Sequence, residues 1–354
     1  MPLMQENPPQ SAPPNPGTPE SSRLIAARLW AADRLGLDKV ELIPVSGDAS
    51  FRRYFRLQTE SGSLILMDAP PERENSRPFV DIATRLLTAG LHAPAIVDFD
   101  FEQGFGLLED LGDELYRGIL TEKSASALFP DLFVVLHCMA QRVDASGLPD
   151  YDRQRLQAEL DLFTDWYLQQ HRQWTFSGTE MTAWQAACEI LHSNAAAQPQ
   201  VFVHRDFHSC NLLYQQGKAP GIIDFQDAVR GPLSYDFISL LWDRYISWPR
   251  AQLAAWMETY RQQLEQPVAA VDWVRWCDLM GLQRNLKIVG IFCRLHYRDR
   301  KAGYLDLIPR FYAYLLDVAA LYPELRALHD LLLQNAPEQA PLKQAPPEHT
   351  PCAP

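Results

Sequence analysis

Nowhere in these 354 residues does an apolar run approach the roughly 20 unbroken positions that a membrane-spanning helix needs, so the chain is read as one that does not cross a membrane. Clustered cations are missing too. With 32 basic against 44 acidic side chains the formal charge is −12, and this balance argues against general nucleic-acid binding, which requires Lys and Arg gathered against phosphates. Six cysteines (Cys138, Cys188, Cys210, Cys277, Cys293 and Cys352) are scattered without the short paired spacing of zinc or thioredoxin sites, and are expected to be reduced thiols. The first twenty residues lack the basic-then-apolar design of a secretory leader, which makes the cytoplasm the expected address. Lysine is absent from Val40 to Glu122.

What is present divides by pattern. Seven prolines in the first twenty residues and six from Pro337 to Pro354 mark both ends as expected disordered tails, 1–21 and 336–354. Between them, 47% apolar and 21% charged residues describe a globular chain long enough for two lobes. Short runs rich in β-formers recur at Val40–Val45, Arg53–Leu57, Leu64–Met67, Ala95–Phe99 and Phe105–Glu109, interrupted by a helical stretch from Arg77 to Ala89. They predict a small antiparallel sheet with one main helix over 22–111. Past Leu111 the apolar period turns helical, as in Leu128, Leu132, Leu136 and Met139, or Leu156, Leu160, Phe163 and Tyr167, predicting a larger and mostly helical lobe over 112–335. The fold class is therefore α+β and bilobal.

Inside the helical lobe lies one island of another character. It reads His204-Arg-Asp206-Phe-His-Ser-Cys-Asn211, followed by Gly221-Ile-Ile-Asp224, with short apolar runs ahead of each polar loop. An Asp on a tight loop can accept a proton from an attacking hydroxyl, and an Asn with a second Asp can offer oxygens to Mg²⁺, which needs few protein ligands when nucleotide phosphates supply the rest. Any one of these residues alone would also suit a turn. Their order and setting point to phosphoryl transfer.

On those residues the chain resembles the aminoglycoside phosphotransferase family, relatives of the protein kinases, across nearly all of its ordered length. The resemblance implies a kinase-like fold, with Asp206 as catalytic base, His204 organising its loop, Asn211 and Asp224 holding Mg²⁺, and Asp236 of Gly231-Pro-Leu-Ser-Tyr-Asp236 bracing the loop. It also implies ATP in the small lobe. The loop Ser46-Gly47-Asp48-Ala49-Ser50 would cover the phosphates, although an ordinary hairpin turn fits the same five residues, and backbone groups of Glu109 and Leu111 would pair with the adenine edge. The strand lysine of the family is replaced by Met67, and from the lysine-free stretch an arginine is expected to take its place, Arg53 first among Arg52, Arg53 and Arg56.

Ser46 to Arg56, Leu66 to Glu72, Ile223 to Ala228 and the cationic run from Gln283 to Lys301 further resemble the bacterial anomeric amino-sugar kinases of cell-wall recycling. That likeness implies N-acetylmuramate and N-acetylglucosamine as acceptors. Because N-acetylmuramate carries a lactyl carboxylate, Arg284 and Lys287, a turn apart on one helix, are expected to reach it, with His208 and Asp227 lining the acceptor side. The partners expected are the sugar and ATP, with no nucleic acid, no membrane and no obligate protein.

Overall fold

Phe55 and Leu57 lie two apart and both are buried, as are Leu66, Phe105 and Leu107, the pattern of strands with one covered face. The computed structural model describes residues 22–45, 51–60, 62–243 and 245–338. The loop Ser46 to Ser50 and most of both proline-rich ends lie outside the described residues. Two compact units result, one of the described residues up to Asn75 with Ile96–Asp110, the other of Ser76–Ala95 with the described residues from Leu111 onward.

The first unit holds helix α1 (Ser22–Leu35) and strands β1 (Ile43–Val45), β2 (Arg53–Thr59), β3 (Gly62–Asp68), β4 (Ile96–Asp100) and β5 (Phe105–Glu109). The sheet is antiparallel throughout, in the order β1-β2-β3-β5-β4. Register sets the faces. Phe55 opposite Leu66 and Leu66 opposite Leu107 put these side chains on one side, where Ala27, Trp30 and Ala31 of α1 cover them. Arg53 opposite Asp68, and Asp68 opposite Phe105, share that side.

The second unit begins with α2 (Arg77–Thr88) and continues through α3 (Tyr116–Ile119), α4 (Ala125–Arg142) and α5 (Arg153–Leu162). After a π-helical segment, Phe163–His171, come α6 (Gly178–Ala196) and four short strands, β6 (Gln200–Val203), β7 (Leu212–Leu213), β8 (Gly221–Ile222) and β9 (Val229–Pro232). Helices α7 (Ser234–Leu241), α8 (Arg250–Arg261), α9 (Ala270–Tyr297), α10 (Ile308–Leu321) and α11 (Arg326–Gln334) complete it. β6 pairs with β9 and β7 with β8, both antiparallel, so the loops between them sit at fixed strand ends. Helix α6 starts with a capping box between Ser177 and Glu180. The bilobal α+β class is as expected, except that α2 groups with the second unit and α1 was not anticipated. Cys138, Cys188, Cys277 and Cys293 are free thiols, whereas Cys210 is disulfide-bonded, against the expectation.

Helix α9, 28 residues long, is buried along its middle and organises the unit. At Gly290 its backbone meets that of the turn entering the π-helix: a Cβ there would lie 2.3 Å from the Leu162 carbonyl. Backbone cannot step aside as a side chain can. Gly290→Ala should therefore lower the free energy of unfolding by about 1–3 kcal/mol, measured by urea titration. Gly118→Ala, with nothing within 4 Å of its added methyl, should be neutral or gain up to about 1 kcal/mol from helix propensity.

Candidate active site

The loop after β6 is built on a carboxylate. Asp236, buried at the start of α7, accepts from the amide of His204 at 2.6 Å and from that of Arg205 at 3.0 Å. Two consecutive amides aim at one group because Arg205 has φ 77°, a left-handed conformation that a side chain bearing a Cβ adopts only when its surroundings hold it there. Burial pushes the Asp236 carboxyl up to about 6, partly offset by His204 and the two amides.

His204 is held in one tautomer. The amide of Asp206 donates to its Nδ1 at 3.3 Å, so the ring proton is on Nε2, which donates to the carbonyl of Ile223 at 3.0 Å. That second bond fastens the loop of Asp206 to the strand leading into Asp224. The main chain of Asp206 closes the turn, its carbonyl accepting from His208 at 3.0 Å and from Asn211 Nδ2 at 2.9 Å. The same Nδ2 lies 3.3 Å from Asp224 Oδ2, and Gln226 donates to Asp224 Oδ1 at 2.8 Å. Asp224 also has a left-handed backbone, φ 63°.

These side chains fit a small hard cation. With Nδ2 of Asn211 committed, its Oδ1 is left for a metal, beside a carboxylate whose pKa is raised by burial and by the neighbouring Asp206. Two carboxylates crowded in a partly dry site favour a cation, and the oxygens available are the donors Mg²⁺ takes.

Beneath the loop is a cluster that sequence reasoning missed. Glu159 of α5 is buried and accepts from Arg205 Nη2 at 3.1 Å, Lys287 Nζ at 3.1 Å, Gln283 Nε2 at 3.0 Å and the Tyr151 hydroxyl. Tyr151 and Tyr235 hydroxyls lie 3.1 Å apart, and Lys287 donates to Tyr235 at 3.2 Å. Burial alone would raise the Glu159 pKa, but Lys287 and Arg205 outweigh it, and the net direction is down. At the other end of the loop, Asp243 accepts from the Ser209 amide at 2.8 Å and from that of Tyr245 at 2.9 Å. The readable signal for Glu159 was an acid on the apolar face defined by Leu156, Leu160 and Phe163.

Not every expected site residue stands where it was placed. Lys287, assigned to an acceptor carboxylate, is buried and committed to Glu159 and Tyr235, because its helix face turns toward α5. Arg53, assigned to nucleotide phosphates, donates from Nε to Asp68 Oδ2 at 2.9 Å, joined there by Arg23 of α1 at 2.7 Å. The register puts Met67 opposite Tyr54, on the other face of the sheet from Arg53, so Arg53 cannot stand in for a cation expected at Met67. Arg56, on Met67's face, holds Asp110 with two bonds, 2.6 and 2.9 Å. Arg284 and His208 are buried in the second unit and Asp227 is exposed. Glu109 closes β5 in the first unit, and Leu111 is buried in the second. The loop Ser46, Gly47, Asp48, Ala49 and Ser50 lies outside the described residues.

A family model described as the phosphotransferase enzyme family matches residues 41–277. The chain belongs to that family. It is 44% identical over 311 residues to an N-acetylmuramate/N-acetylglucosamine kinase of Pseudomonas aeruginosa, covering 86% of this chain and 91% of that one. A protein of the same name from Neisseria meningitidis is 37% identical over 324 residues, covering 88% and 96%. Among solved structures, a choline kinase from Streptococcus pneumoniae superposes with a TM-score of 0.58 at 13% identity, covering 83% of this chain and 99% of that one. An ADP-bound aminoglycoside phosphotransferase gives 0.53 at 16%, covering 81% and 96%. These structures share the fold. This protein is accordingly a phosphotransferase.

Because Glu159 is the only carboxylate at ion-pair distance from Lys287 and Arg205 among the described residues, Glu159→Ala should cost about 3–5 kcal/mol by stranding cations withdrawn from water. Its pKa is depressed from 4.5, so the stability it confers is present in full above about pH 4.5 and is lost as pH falls through the native value. Urea melts of the protein and of Glu159→Gln should thus differ most near neutrality and converge in acid. A gap that widened on acidification would contradict the assignment.

Proposed function

We propose that this protein is an ATP-dependent kinase of N-acetylmuramate and N-acetylglucosamine that phosphorylates the anomeric hydroxyl. The observation that carries the reading is 44% identity over most of the chain with a relative of that name. It is supported by the meeting of the Asp206, Asn211 and Asp224 loops within one unit. The sugar 1-phosphate formed would feed a recycling route toward UDP-N-acetylmuramate, in the cytoplasm. No described helix is long and apolar enough to cross a membrane.

Asp206 takes the role of base, accepting a hydrogen bond from the sugar hydroxyl and orienting its oxygen for attack. His204, with one bond to the Asp206 amide and one to the Ile223 carbonyl, sets the spacing of the base loop from the metal loop. Asn211 and Asp224 would hold Mg²⁺, which when bound neutralises charge on the nucleotide's β and γ phosphates. Asp236 keeps the loop's strained backbone in place. ATP would be held by the Ser46 to Ser50 loop and by backbone groups of Glu109 and Leu111, and His208 and Asp227 would border the acceptor.

Asp206→Asn should reduce sugar-dependent ADP release by about 10²–10⁴-fold, with the main-chain bonds of residue 206 to His204, His208 and Asn211 kept. Phosphorus and proton NMR of the product should show phosphate coupled to the anomeric proton. Turnover of kanamycin or choline, with none of either amino sugar, would overturn the substrate assignment.

A further inference from the structure

Two cations are buried among the described residues of the second unit, Lys287 and Arg284. Lys287 meets Glu159, as does the half-buried Arg205. Arg284 is 2% exposed, yet its Nη1 has no hydrogen-bond partner and no carboxylate forms an ion pair with it among the described residues. A guanidinium withdrawn from water without an anion costs several kcal/mol. Such a cost is retained where a ligand supplies the missing charge.

Its neighbours fix the direction it faces. Gln283 and Lys287, four residues apart, define the side of α9 that meets Glu159. On the other side Gly281 lies under the ring of Trp242, where a Cβ would come within 1.3 Å. At about 100° per residue, Arg284 falls between these two directions, roughly 60° from each of Lys287 and Gly281. Glu159 grips the catalytic loop at Arg205, and Asp243, next to Trp242, grips it at Ser209. Arg284 thus lies in the sector of α9 between the two sides from which that loop is held.

We propose that Arg284, buried beside the catalytic loop without an anion of its own, recognises the carboxylate of the acceptor and so sets the preference for N-acetylmuramate. This rests on the functional reading above. A planar fork of N–H donors matches a carboxylate with two parallel bonds, and the same charge repels cationic acceptors such as aminoglycosides or choline. N-acetylglucosamine has no carboxylate. It leaves the fork unanswered.

The test pairs a change in the protein with a change in the substrate, using the full chain with N-acetylmuramate, its lactyl amide and N-acetylglucosamine. The unaltered protein should prefer the acid over the amide by about 10–100-fold in kcat/KM, the usual worth of a charged hydrogen-bonded pair. Arg284→Met should abolish that preference, mainly through a higher KM for the acid, while the KM for ATP stays put. Arg284→Lys, which keeps the charge but not the fork, should retain part of it and serves if the Met protein fails to fold. Preference for the acid that survives in either a folded Met variant or, undiminished, in the Lys variant overturns the proposal. So does a higher KM for ATP, which would assign Arg284 to a phosphate. Equal use of acid and amide by the unaltered protein removes Arg284's role alone, whereas no turnover of any of the three sugars removes the functional reading and this inference with it.

Discussion

The carboxylate of Glu159 is the contact on which the second unit's chemistry depends. Four donors from distant parts of the chain converge on its two oxygens: Arg205 of the loop after β6, a lysine and a glutamine of α9, and a tyrosine beside β9. Burial works against such an ion, and the convergence of two cations offsets that penalty. The arrangement holds Arg205 against α5 while Asp236 holds the backbone of the same residue from α7. A loop fixed at both side chain and main chain need not be ordered by its substrate, which keeps more of the binding energy for the reaction itself.

The sheet and the catalytic island were legible because their signals are local. Alternation locates β2, β3 and β5 to within two residues of where they lie, and the spacing from His204 to Asn211 and on to Asp224 identifies two loops. Tertiary pairing was not legible. Arg53 and Lys287 were chosen for charge and position along the chain, but which carboxylate each would meet depends on the face its element presents, and that is decided by packing against α1 and α5. Glu159 was overlooked for the same reason. An acid on an apolar face becomes informative only once its cations are seen to arrive from elsewhere.

Asn211 and Asp224, the pair proposed to hold Mg²⁺, show how little machinery such a position needs when the backbone is already set. One amide nitrogen of Asn211 ties together the carbonyl of Asp206 and the side chain of Asp224, a second planar link between these two loops beside the ring of His204. Left-handed backbone lies at one end of that bridge, Asp224, and next to the other, at Arg205. Strain of this kind, worth roughly 1–3 kcal/mol at each position, is borne by the surrounding hydrogen bonds.

Helix α2 lies in the sequence between the third and fourth strands of the sheet, yet its bonds are made in the other unit. Arg85 donates to the carbonyls of Asp144 and Ser146 at 2.7 and 2.8 Å, Phe79 stacks on Phe225 at 5.1 Å, and the His92 carbonyl accepts from the Ile222 amide at 2.8 Å. Phe225 and Ile222 flank the strand end that presents Asp224. A chain severed at residue 111 would therefore divide the second unit: the larger piece would lose the helix whose Phe79 stacks on Phe225 beside Asp224. Interleaved in this way, the two units cannot be parted by any single cut of the chain.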